Sequence, residues 1–321
     1  MMPLGPSLQE VYLARRRIAG ALYRTPLEPS PWLSEAAGCP VHLKLECWQR
    51  TRSFKARGAY NAVAALGEDE RARGLVTASA GNHGQGVALA AQAFGAPCTI
   101  FVPLGASELK VGRMRALGAE VRHVGAHYDE AAAAAHEHAH AVGAYYLSAT
   151  SNPSVIAGQG TVGVEIVEDL PDVADALLPV GGGGLIAGVG LVLRSATRDA
   201  RIVGVQTPPT SSMYESFRAG RAVVAGLGER TIADGLHGGV EQLDYERARA
   251  VVGEMRLVDE SELPRAIRGL YEHHGVVAEP SGAVGVALVL GRSLALRGPV
   301  VVVVSGGNVD PRRLASYLAA D

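Results

Sequence analysis

The chain has 321 residues, 48% hydrophobic and 19% charged, with a formal net charge of −2. That length holds one large domain or two ordinary ones with ample core, and no basic excess marks it as a partner of nucleic acid. The opening MMPLGPSLQEVYLARRR lacks the apolar stretch of a secretory signal, no apolar run approaches a bilayer's thickness, and Cys39, Cys47 and Cys98 are an odd, scattered set; reduced thiols, a cytoplasmic location and no membrane partner are expected.

In chain order, short β-branched runs read as strands at Val41 to Leu45, Leu75 to Thr77, Thr99 to Val102, Val121 to Val124, Leu177 to Val180, Ile202 to Gln206 and Val300 to Val304. Helical patterns lie between them at Val87 to Phe94, Leu109 to Leu117, Glu130 to Val142 and Leu185 to Leu193. The alternation predicts an α/β architecture with mostly parallel sheets. The unbroken valines of the last strand suit a sheet covered on both faces.

Glycine-rich turns follow three of these strands directly: SAGNHGQG (Ser79 to Gly86), GGGGL (Gly181 to Leu185) and SGGN (Ser305 to Asn308). Ligands of open α/β sheets collect beyond the carboxyl ends of strands, so the three turns are expected to ring one site. GGGGLIAG opens a helix, where free N–H groups point at an anion, and a phosphate is its expected guest. Gly182, Gly184 and Ala187 also fit the dinucleotide pattern G-x-G-x-x-A, but the next strand ends in Gln206 where a ribose-binding acid is needed. His136, Glu137 and His140 match the zinc motif H-E-x-x-H without an obvious third ligand, and no metal site is expected there.

Of 30 basic residues only Lys44, Lys55 and Lys110 are lysine. Arginine stays protonated and cannot form an imine, so a chain rich in arginine has a reason to keep lysine where a primary amine is required.

One of the three lies in KLECWQRTRSFKARGAY (Lys44 to Tyr60). Together with SAGNHGQG, GGGGLIAG, EPSGA (Glu279 to Ala283) and SGGNVD (Ser305 to Asp310), this segment resembles the threonine/serine dehydratase family. That family belongs to the tryptophan-synthase-like, fold type II class of pyridoxal 5'-phosphate enzymes, which includes serine racemases. ADGL (Ala233 to Leu236), VIAGQGT (Val155 to Thr161) and RTPLEPS (Arg24 to Ser30) add to the likeness, which runs in order along essentially the whole chain. It implies a large cofactor-binding domain, residues 1–73 and 147–321, with a small mobile domain, 74–146, inserted in it. It also implies a homo-oligomer, dimer or tetramer. By the resemblance Lys55 is the Schiff-base lysine and Phe54 packs near the cofactor. Asn82 bonds the phenolic oxygen, Gly181, Gly182, Gly183, Gly184 and Leu185 bind the phosphate, and Ser305 meets the pyridine nitrogen. Ser79, Ala80, Gly81, Asn82 and His83 take the substrate carboxylate. The implied reaction is elimination of the β-hydroxyl from L-threonine, L-serine or a close relative, giving a 2-oxo acid and ammonia. Racemisation of serine, 3-hydroxyaspartate lysis, or phosphate binding without chemistry are the alternatives.

Some positions depart from the family. Arg52 replaces the glycine of T-G-S-F-K, and a guanidinium there is able to take a second substrate carboxylate. Ser148, Ala149, Thr150 and Ser151 replace H-P-F-D near the substrate pocket. Gln206, Thr210 and Ser212 stand where eukaryotic serine racemases bind a divalent ion, so two anionic oxygens are missing and no tight ion is expected. Only PRRLASYLAAD follows SGGNVD, so an enzyme without the isoleucine-sensing domain of biosynthetic threonine dehydratases is expected.

Overall fold

A computed structural model describes residues 5–197, 199–226 and 230–319. In chain order its elements are α1 (Leu8–Ile18), β1 (Leu27–Pro29), α2 (Pro31–Ala37), β2 (Val41–Lys44), α3 (Lys55–Ala65), α4 (Glu68–Ala72), β3 (Leu75–Ala78), α5 (Asn82–Phe94), β4 (Cys98–Val102), α6 (Glu108–Ala116), β5 (Glu120–His123) and α7 (Tyr128–Val142). They continue as β6 (Tyr145–Tyr146), α8 (Pro153–Asp169), β7 (Asp175–Pro179), α9 (Gly184–Ala196), β8 (Arg201–Gln206), α10 (Ser212–Ala219), α11 (Gln242–Val251), β9 (Glu254–Leu257), α12 (Leu263–His274), α13 (Pro280–Leu290), β10 (Val300–Val303) and α14 (Pro311–Leu318).

The strands form two sheets. One has the order β1-β2-β10-β7-β8-β9, parallel except for β1, which runs antiparallel to β2 with Leu27 opposite Lys44. The other, β5-β4-β3-β6, is wholly parallel and is built from one continuous stretch of chain. Parallel strands need helical crossovers, which cover both faces and favour apolar strands. In β10, Val300 and Val302 pack into the core beneath α12 and α13, while Val301 and Val303 enter the core with Leu185, Ile186 and Val189 of α9. Alternation by two thus explains why every one of these valines is buried.

Helix α3 sits between the two sheets' helical layers, packed against α5 on one side and α8 on the other. Its first residue is Lys55, so this helix fixes the lysine at the seam between them. No helix among the described residues is long and apolar enough to cross a membrane.

Candidate active site

The three glycine turns leave the carboxyl ends of β3, β7 and β10, and β7 and β10 are neighbours. The Gly181–Gly184 loop runs into the N-terminus of α9, with Gly183 at φ 94°, a left-handed conformation that a Cβ would strain. A Cβ at Gly182 would stand 2.6 Å from Thr150 Cγ2, so only glycine allows this approach. A backbone turn stripped of side chains at a helix N-terminus fits a phosphate.

Lys55 faces this cradle. Its Nζ lies 3.5 Å from the Ala149 carbonyl, the same oxygen that lies 3.5 Å from the Cβ position of Gly184. Phe54 places its ring centroid 5.3 Å from Nζ. Loss of hydration pushes the Lys55 amine down to about 8, opposed by the charge of Asp244. The other two lysines are paired: Lys44 with Glu165 at 2.6 Å and Lys110 with Asp234 at 2.8 Å.

The SGGN turn locks onto the segment before Lys55. Phe54 N donates to Ser305 O at 3.2 Å, Gly307 N to Arg52 O at 2.9 Å, and Ser53 bridges Gly306. Ser305 is 4% exposed. Asn82 opens α5, where its Oδ1 accepts from Asn308 Nδ2 at 2.7 Å and its Nδ2 donates to Glu279 Oε1 at 2.5 Å. Asn308 also donates to Thr51 O at 2.7 Å and accepts from Arg113. Burial raises the Glu279 carboxyl to about 7; Lys110 opposes this and Asp234 adds to it. Its Oε2 is buried with no hydrogen-bond partner among the described residues. In the same turn Gly81 N donates to Ser79 Oγ at 3.2 Å, and Ala80 is part-buried. His83 is buried with Nε2 3.0 Å from the Leu147 carbonyl. Burial first, then the Lys55 charge, lowers it to about 3; the ring is neutral, Nε2–H donates, and Nδ1 is left an acceptor without a partner.

Lys55 thus meets the Gly184 side of the glycine loop through the Ala149 carbonyl, Phe54 meets Ser305, and His83 of the Ser79–His83 turn lies within reach of the Lys55 charge. The chain belongs to the family of pyridoxal-phosphate dependent enzymes, as the match of its family model shows.

The model of the family described as pyridoxal-phosphate dependent enzymes matches residues 18–306. The chain is 47% identical over 307 residues to the L-threonine ammonia-lyase of Thermotoga maritima, covering 95% of this chain and 76% of that one. To the catabolic L-threonine dehydratase of Escherichia coli it is 36% identical over 313 residues, covering 96% and 95%. Maize serine racemase superposes with a TM-score of 0.93 at 31% identity, covering 97% and 96% of the two chains. Threonine deaminase isoform 2 from Solanum lycopersicum does so with 0.88 at 34%, covering 99% and 90%. These are fold type II pyridoxal-phosphate enzymes, and the α/β fold and cofactor expected from the motifs are those of the family.

The departures from the family each have a local account. Arg52 is exposed and holds φ at 57°, a left-handed backbone that the glycine of the T-G-S-F-K pattern would adopt without strain. Its guanidinium lowers that of Arg113, which burial depresses first. Gln206 is buried and spans its own loop, donating to Thr210 O and accepting from Tyr214 N at 2.8 Å. His136 and His140 are exposed on α7, with His136 stacked on Tyr146. No group of three His, Cys, Asp or Glu among the described residues is placed to hold a metal ion.

One group whose charge acts on Lys55 carries no motif: Asp244 of α11. Its signal is spatial, since it is far from Lys55 in sequence and meets it only through the fold. The Ala149 carbonyl, 3.5 Å from Lys55 Nζ, lies in the Ser148–Ser151 stretch that departs from the family pattern.

Proposed function

We propose that the chain is an ammonia-lyase that removes the β-hydroxyl and the amine of L-threonine, L-serine or a close relative, yielding a 2-oxo acid and ammonia. The isolation of Lys55 carries this reading. Of the three lysines it is the one that, among the described residues, has no carboxylate paired with its amine and faces a glycine cradle. An amine near 8 keeps a useful neutral fraction at physiological pH, as nucleophile and base both require.

When bound, pyridoxal phosphate supplies an aldehyde that condenses with amines and a ring that withdraws electrons from the substrate's α-carbon. In the proposal Lys55 would hold the cofactor through Nζ, and the same amine, once free, would take the substrate's α-proton. Gly181 to Leu185 grip the phosphate by N–H groups, Phe54 packs against the cofactor, and Asn82 donates to the phenolic oxygen. Ser79 to His83 hold the substrate carboxylate at the start of α5, and residues 74–146 move as a lid over the rest. Ser305 meets the pyridine nitrogen with a hydroxyl, which cannot keep that nitrogen protonated as a carboxylate would. Departure of the β-hydroxyl would thereby be favoured over lasting negative charge at the α-carbon, and the released product would hydrolyse to the 2-oxo acid and ammonia.

Likeness to maize serine racemase supports a second reading, inversion at the α-carbon. Inversion needs an acid–base group on each face, and Ala80, on the turn facing the cleft, offers a methyl. The enzyme is expected to form 2-oxo acid and ammonia from a panel of β-hydroxy amino acids, and about a hundredfold less D-serine than pyruvate from L-serine. Ala80→Ser should raise D-serine. Comparable D-serine and pyruvate from the wild type would make it a racemase, and no ammonia from any panel member would end the lyase reading.

A further inference from the structure

Asn308 closes the SGGN turn after β10 with an amide that is 2% exposed and bonded at both ends. Its Nδ2 donates to the Thr51 carbonyl and to Asn82 Oδ1, each at 2.7 Å, and its Oδ1 accepts from Arg113 of α6. A carbonyl oxygen only accepts and a guanidinium only donates, so the two ends of the Asn308 amide cannot be exchanged. Its N–H groups face Thr51 and Asn82 in the one arrangement that satisfies all three partners.

A second amide inherits that polarity. Asn82 Oδ1 is the acceptor for Asn308, which leaves Nδ2 on the other side, where it donates to Glu279 Oε1 at 2.5 Å. Gly306 leaves room for this pair: a Cβ there would stand 2.2 Å from Glu279 Oε1 and 3.3 Å from Asn82 Nδ2. The carboxyl by itself does not fix the amide. An ionised Glu279 accepts from Nδ2, whereas a protonated one donates and suits Oδ1 as well. Burial raises that carboxyl to about 7, so both forms are within reach. Asn308 carries no such ambiguity, because its N–H groups only donate. Of the two protons on Asn82 Nδ2, Glu279 takes one.

We propose that Asn308 is a positioning residue for the cofactor, holding the Asn82 amide in the orientation that presents its second Nδ2 proton to the phenolic oxygen. This role rests on the reading in which Asn82 donates to that oxygen. Turned over, the Asn82 amide would set Oδ1 against the phenolic oxygen and withdraw the donor. Asn82 and Arg113 belong to the segment that forms the second sheet, while Asn308, Thr51 and Glu279 lie outside it. The orientation is therefore set where the two parts of the chain meet.

The test is equilibrium binding of pyridoxal 5'-phosphate, and of its 3-deoxy analogue that lacks the phenolic oxygen, to the full chain freed of cofactor. Asn308→Asp keeps the shape and loses the donor; Asn308→Ala loses the donor without adding a charge. Each variant should bind pyridoxal 5'-phosphate about tenfold more weakly than wild type, and the 3-deoxy analogue within about twofold of it. In an Asn82→Ala background the same replacements should cost less than about twofold for either ligand, because the amide they act through is gone. Equal losses for the two ligands would reduce Asn308 to a support of its own turn, and undiminished binding of pyridoxal 5'-phosphate would show that Asn82 keeps its orientation without it. Either result overturns the proposal. A wild-type chain that fails to bind pyridoxal 5'-phosphate at all would overturn the cofactor reading, and the positioning role with it.

Discussion

Replacing Lys55 by alanine is expected to lower turnover of L-threonine or L-serine by about a thousandfold or more while leaving the fold intact. The loss is large because one amine serves twice, holding the cofactor and moving the α-proton, and groups that act as a unit fail together. The fold should survive because the side chain gives little to packing: Nζ touches the Ala149 carbonyl at 3.5 Å and stands 5.3 Å from the Phe54 ring. Asp244, the buried carboxyl whose charge acts on the amine, keeps its bond from Arg247 at 3.3 Å when the amine is removed. Steady-state release of 2-oxo acid, with circular dichroism on the same samples, checks both halves. Turnover above about a tenth of wild type would remove Lys55 from the mechanism.

Arg57→Ala should have the largest effect on stability, about 3–5 kcal/mol, read from the shift of the urea unfolding midpoint. Arg57 is wholly buried two residues beyond Lys55. Its guanidinium bonds Glu46 through Nε at 2.8 Å and Nη2 at 2.9 Å, and Glu165 through Nη1 at 2.7 Å and Nη2 at 2.8 Å. Lys44 closes the group on Glu165 at 2.6 Å and on the Thr25 carbonyl at 2.6 Å. Two cations and two anions thus balance, and burial is tolerated because each charge is met by fork geometry and hydrogen bonds. Taking out Arg57 leaves Lys44 alone to answer two buried carboxylates. The same group ties β2, the turn after it, α3 and α8 together, so Arg57→Lys, which keeps charge and loses the fork, should also fall short of wild type. A loss below about 1 kcal/mol for Arg57→Ala would show that the quartet does not hold α3.

The sequence made legible what is local. A run of five valines between turns reads as a covered strand, and the three glycine turns announce themselves because each follows a strand. Elements with little local signal were harder. β1 is a three-residue edge strand with two exposed positions, β6 has two residues, and β9 is half-exposed, so none carries the apolar run that marks a buried strand. The candidate site was legible where it rests on backbone, at Gly181 to Leu185 and Ser79 to His83, and at the lysine itself. It was opaque where it rests on charges brought together from distant segments. Asp244 sits in an unremarkable QLDYE stretch, and Glu46, Arg57 and Glu165 give no hint in sequence of sharing one buried cluster. Arg52, three residues before Lys55, stands in the fold on an exposed, left-handed backbone, a conformation that its residue type does not announce.

Borohydride reduction of the holoenzyme followed by peptide mapping tests the central claim most directly, because three lysines give three possible addresses. The account predicts a pyridoxyl group fixed to the peptide containing Lys55 and none at Lys44 or Lys110, whose amines are held by Glu165 and Asp234. A pyridoxyl group on Lys44 or Lys110 with Lys55 unmodified would contradict it.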